Sequence, residues 1–158
     1  MTEETQEFIK GTALLREGRA IEAVPYLEQA FELHPDDVDV AINLGGAYIL
    51  ARKFKRAVKV LEPAVDQVPD HAMAWINLGA AYLGNPVLAR DEDQKRAITA
   101  FERALAIDPA AHSVAYNMAL IYRDRRDRDE AIYWLRQAIE HNPQDRDAKR
   151  LLDRLEAM

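Results

Sequence analysis

Pro35, Pro69, Pro109 and Pro143 cut the chain at intervals of 34, 40 and 34 residues (69−35, 109−69, 143−109), and each interval spells nearly the same order of small and large apolar residues. The clearest copy runs Trp75, Leu78, Gly79, Tyr82, then Ala97 and Phe101, and closes on Pro109. A segment of about 34 residues cannot bury its apolar face alone, so such copies must stack on one another and share a core. The residue before a proline is pushed out of the helical region, which makes each of these prolines a stop between units.

Within each interval the apolar residues recur at helical spacing, and small residues stand where two helices must approach closely, so each unit reads as two helices. Unit one, about 4–37, keeps Gly11, Leu14, Ala23, Leu27 and Ala30, but has Glu7 and Lys10 where the pattern wants Trp and Leu. A polar outer face of that kind suits a terminal repeat. Unit two, 38–71, has Ala41, Leu44, Gly45, Tyr48, Ala57, Leu61 and Ala64. Unit three, 72–111, carries six extra residues (40−34) near 85–91, and unit four, 112–145, has Met118 and Ala119 where Leu and Gly are usual. Residues 146–158 place Ala148, Leu151, Leu152 and Leu155 on one stripe and form an amphipathic closing helix. Asp36, Asp37, Asp70 and Asp145 are suited to cap the helices that follow them, and Asp91 with Gln94 has the spacing of a capping box. Pro25 and Pro63 lie inside expected second helices, where small kinks are expected.

This order of residues resembles the tetratricopeptide repeat family over about 4–145, with 146–158 similar to the family's solvating helix. The resemblance implies an all-α, right-handed superhelical solenoid of four helix-turn-helix repeats plus a carboxy-terminal capping helix. It also implies a non-catalytic protein-binding module whose first helices line a concave groove for a peptide or helical segment of a partner. Asn43, Asn77 and Asn117 occupy one equivalent site on successive first helices and resemble an asparagine ladder. An amide offers both donor and acceptor, which suits the backbone of an extended ligand. The same groups could instead bond to neighbouring repeats and set the superhelical pitch. Groove positions carried over by the resemblance include Phe8, Thr12, Ile42, Met73, Ile76, Tyr116 and Leu120, with Thr5, Asp39, Ser113, Gly46 and Ala80 beside them. Chaperone-binding relatives hold a ligand's terminal carboxylate with a clamp of Lys, Arg and Asn, and the corresponding sites here are Phe8, Thr12, Asn43, Met73 and Asn77, of which only Asn43 agrees. The heat-shock chaperone carboxyl-terminal peptide is therefore disfavoured as a ligand. Self-association into a homo-oligomeric scaffold is the alternative reading.

Composition narrows the rest. The chain has no Cys, which removes disulfide and thiolate chemistry. A net charge of −6 opposes attachment to nucleic acid. No apolar stretch reaches the roughly 18 residues of a membrane span. The amino terminus carries Glu3, Glu4 and Glu7 where a secretory signal needs positive charge, so a cytoplasmic protein is expected. His34, His71, His112 and His141 fall at the joints without metal spacing, and no catalytic arrangement or cofactor motif is evident. Two surface features stay open. Val87 and Leu88 in the insertion can cover the groove edge, meet a partner, or shield only their own helix ends. Arg52, Lys53, Lys55, Arg56 and Lys59 form a basic cluster that is either a solvated edge or a dock for an acidic stretch.

Overall fold

A computed structural model describes residues 5–111 and 113–158. The expected start of unit one at residue 4, the acidic residues Glu3 and Glu4, and the joint residue His112 lie outside the described residues. The described residues contain nine helices and no strand: α1 (Gln6–Arg16), α2 (Ala20–Leu33), α3 (Val38–Leu50), α4 (Phe54–Gln67), α5 (Ala72–Leu83), α6 (Asp91–Ile107), α7 (Val114–Asp124), α8 (Arg128–His141) and α9 (Arg146–Glu156). They pack as four successive hairpins closed by α9, with each hairpin resting on the next.

The close approach within a hairpin follows from the small residues. A Cβ added at Gly11 would stand 2.6 Å from Leu27 Cγ, one at Gly45 2.5 Å from Leu61 Cγ, and one at Gly79 2.7 Å from Phe101 Cε1. Leu27, Leu61 and Phe101 are at most 1% exposed, so each second helix seats its largest fully buried side chain in the gap its first helix leaves. In the fourth hairpin Ala119 and Leu135, both fully buried, stand in these places. The alanines one turn to either side of these anchors, such as Ala57 and Ala64 around Leu61, are also buried. Among the described residues the core holds no buried polar or charged residue.

Helix ends depart from expectation in detail. The Asp37 and Asp145 carboxylates accept from Val40 N and Ala148 N, at 3.3 and 3.0 Å, and cap α3 and α9 as their residue type suggests. Asp70 does not cap α5; the Nδ1 of His71 accepts from Ala74 N at 3.4 Å, because the helix begins one residue later. Nor do Asp91 and Gln94 form the box at α6. Arg90 is the N-cap, and its backbone N–H donates to Asp93 Oδ2 at 3.1 Å, which places Asp91 inside the first turn. Helices α2 and α4 run through Pro25 and Pro63 without interruption.

Polar ties between hairpins add to the apolar core they share. Tyr48 donates to Glu28 Oε2 at 2.7 Å and Tyr82 to Glu62 Oε1 at 2.8 Å. Burial first, and then the neighbouring carboxylate, push both phenols up to about 12. Tyr122 is raised too, by burial and then by Glu130 and Glu102. Arg125 Nη1 donates to Asp91 Oδ1 at 2.6 Å and Gln94 Oε1 at 2.9 Å, joining the start of α6 to the end of α7. At the far end Arg128 Nε donates to the Leu155 carbonyl at 2.8 Å and Arg136 Nη2 to Glu156 Oε1 at 3.1 Å. These two bonds anchor the carboxyl end of α9 to α8.

Candidate functional site

The residues singled out for a groove fall on first helices or, for Thr5 and Ser113, at their N-caps, and α3 lies directly beside both α1 and α5. Phe8, Ile9, Thr12, Leu15, Arg16 and Asn43 line a recess of about 300 Å³ between α1 and α3. The Thr12 hydroxyl donates back to the carbonyls of Phe8 and Ile9, at 2.9 and 3.0 Å, so its proton is engaged within α1.

The three asparagines are half-buried but differ in what they bond. Asn43 Nδ2 donates to the Asp39 carbonyl of its own helix at 2.8 Å. Asn77 Nδ2 reaches across to the Ile42 carbonyl of α3 at 3.5 Å, a long bond. The Asn117 side-chain amide makes no hydrogen bond to another described residue. One rung is therefore held by its own helix, one by the neighbouring repeat, and one is open.

The apolar positions divide in the same way. Met73 is 51% exposed, whereas Ile42 is 7% exposed and belongs to the core. Phe8 packs on the core shared by the first three hairpins, Ile76 on the cluster of Phe101 and Met118, and Tyr116 and Leu120 on the cluster of Leu135. Tyr116 also lines a second recess of about 300 Å³ with Ser113, His141 and Asp145. Phe8, Thr12 and Asn43 thus meet in one place, Asn77 joins them through α3, and Tyr116, Asn117 and Leu120 lie further along on α7.

Val87 and Leu88 do not cover that recess. They sit on the loop after α5, 89% and 74% exposed, and Leu88 faces residues of α4 and α6. In the basic cluster Arg52 stacks over the Phe54 ring at 5.6 Å and Arg56 comes within 4.0 Å of Glu28. Among the described residues no group of three His, Asp or Glu could hold a metal ion, and no helix is long and apolar enough to cross a membrane.

The tyrosine–carboxylate ties were missed from the sequence, although a signal existed. Glu28, Glu62 and Glu102 are spaced 34 and 40 residues apart (62−28, 102−62), in step with Tyr48, Tyr82 and Tyr122 and with the prolines.

No curated protein matches the chain. Several solved structures share its fold. MamA superposes with a TM-score of 0.79 at 23% identity, over 93% of this chain and 82% of that one. TTC0263, a thermophilic tetratricopeptide repeat protein of Thermus thermophilus, gives 0.74 at 18% identity, over 99% of this chain and 100% of that one. The hetero-tetramer Cut9–Hcn1 of the APC/C gives 0.84 at 22% identity, over 98% of this chain but 30% of that one. The tetratricopeptide repeat family model matches residues 14–84 and 88–155. Four hairpins with small-residue contacts, a closing helix and a family match over most of the length lead to one conclusion: the chain belongs to the tetratricopeptide repeat family.

Proposed function

We propose that this protein is a non-catalytic interaction module that holds a peptide or helical segment of a partner protein along its first helices. Asn43, Asn77 and Asn117 face the ligand backbone, and Phe8, Thr12, Ile76, Met73, Tyr116 and Leu120 take its apolar side chains. Ile42 serves as the floor beneath Asn77. The observation that carries this reading is the open Asn117 amide together with the recess where Phe8, Thr12 and Asn43 meet. A half-buried amide without a protein partner is a group that a ligand can complete. The module class is what the family fold generally supports. The choice of groove and ligand is our reading.

The test is capture of partners from native extract by a tagged chain, with mass spectrometric identification, repeated with Asn43→Ala, Asn77→Ala and Asn117→Ala combined. A partner lost from the variant while its melting temperature holds supports the groove. A lower melting temperature with undiminished capture assigns the asparagines to packing.

A second reading, self-association, is favoured by Ile9 and Ile21, which stand 51% and 77% exposed on α1 and α2. Sedimentation equilibrium over rising concentration separates the two, because Ile21→Glu lowers the mass only if copies associate there.

A further inference from the structure

A second surface lies beside the insertion and uses none of the groove residues. The end of α5, the following loop, and residues of α4 and α6 enclose a recess of about 610 Å³. Its apolar wall is Phe54, Val58 and Leu88, and its cations are Lys55, Lys59 and Arg96.

Local chemistry builds this wall. Gly84, at φ 56°, ends α5 in a conformation that suits glycine. The Asn85 side chain then accepts from Val87 N at 3.0 Å, and the Asn85 carbonyl accepts from Leu88 N at 3.0 Å. An ordered turn therefore holds Leu88 at the recess with 74% of its surface in water. Leaving such a side chain exposed forgoes stabilisation that a covering partner would restore.

Charge indicates what the cover is. Among the described residues Lys55 and Lys59 form no ion pair, and Arg96, resting 6.0 Å over the Tyr82 ring, has no carboxylate at ion-pair distance. Arg52 adds a further cation above Phe54. Asp93, the acid among the lining residues, is engaged by the Arg90 N–H. A chain of net charge −6 thus concentrates unpaired positive charge around one apolar recess. Lys55 and Lys59 stand one helical turn apart, a spacing that carboxylates one turn apart on a docked helix can match.

We propose that this recess docks an acidic amphipathic segment of a partner protein, its apolar side chains on Phe54, Val58 and Leu88 and its carboxylates on Lys55, Lys59 and Arg96. The mode is a helix laid in a groove, with steering that weakens as salt rises.

The probe is a fluorescein-labelled peptide of Glu and Leu at helical spacing, with a control in which each Glu is Lys, read by anisotropy on the full chain. The Glu peptide binds and the Lys peptide does not. Lys55→Glu with Lys59→Glu weakens binding roughly tenfold, because each site exchanges an attraction for a repulsion. Leu88→Ser weakens it several-fold and serves as the second arm should the charge variant fail to fold. Asn43→Ala with Asn77→Ala leaves it unchanged, so the two surfaces are judged separately. Absence of binding, equal binding of the Lys peptide, or affinity untouched by both the charge reversal and Leu88→Ser overturns the proposal. So does loss of binding in the asparagine variant, which moves the peptide to the groove. Dimerisation that the charge reversal abolishes overturns it in favour of a second copy of this chain.

Discussion

Gly45 and Gly46 are neighbours in α3, yet alanine at the two positions should act in opposite directions. Both changes gain about 1 kcal/mol of helix propensity. At Gly46 the new Cβ meets only Asn77 Nδ2, at 3.5 Å, an ordinary contact, so most of that gain survives. At Gly45 it would lie 2.5, 2.6 and 2.8 Å from three carbons of Leu61. Carbon atoms prefer about 3.5–4.0 Å, so Leu61 must retreat by about 1 Å. Leu61 is fully buried, and overpacking of that kind costs about 1–3 kcal/mol. Because propensity cancels between the two variants, their difference isolates the overpacking cost. For a chain of this size 2 kcal/mol corresponds to roughly 4–8 °C in melting temperature. Urea unfolding followed by circular dichroism measures it, provided the m-values agree. Leu61→Ala by itself costs about 2–5 kcal/mol, and in that background Gly45→Ala should turn stabilising, as Gly46→Ala is. If Gly45→Ala stabilises the unaltered chain as much as Gly46→Ala does, glycine is not there for helix contact and the account of hairpin packing fails.

Phenolate absorbance should resolve Tyr48 and Tyr82 from exposed tyrosines, with ionisation near 12 against about 10 for a free phenol. The folded state then binds more protons than the unfolded chain between those values, so stability is full below pH about 10 and falls as pH rises towards 12. Glu62→Gln should lower the Tyr82 value, and a single common transition for all six tyrosines would contradict the ties. Arg126 has φ 62°, at the turn position where the first hairpin uses Gly18. Arg126→Gly should therefore stabilise the chain by about 0.5–1 kcal/mol, since left-handed backbone costs a side-chain-bearing residue about 1–2 kcal/mol. A lower urea midpoint would refute it. Arg128→Ala removes the donor to the Leu155 carbonyl and should cost about 1 kcal/mol, with hydrogen exchange in α9 rising before that in α8. Uniform exchange across both helices would show that the bond does not hold the closing helix.

The repeat grammar was legible because it depends on neighbours along the chain. Helical spacing placed Leu44, Leu61 and Ala57 in the core, and prolines marked the joints, since a proline acts on the residue before it wherever the unit sits. The family resemblance implies a groove-facing place for both Ile42 and Met73. Yet Ile42 is buried and Met73 is half exposed, because the cover over a first helix comes from the unit beside it. Caps slipped by one residue at His71 and Arg90 for a related reason, as several polar residues in each joint can cap and the packed helix selects one.

Sequence by itself determined the class of architecture, the number of hairpins and which residues build their shared core, because periodic burial is written into local spacing. Tertiary structure alone decided which asparagine bonds to its own helix, which to its neighbour and which stays open. It alone set Leu88 against Phe54, Val58 and Lys59, a meeting of residues some thirty positions apart. Such encounters depend on how one hairpin lies against the next, a distance and angle that no pattern along the chain encodes.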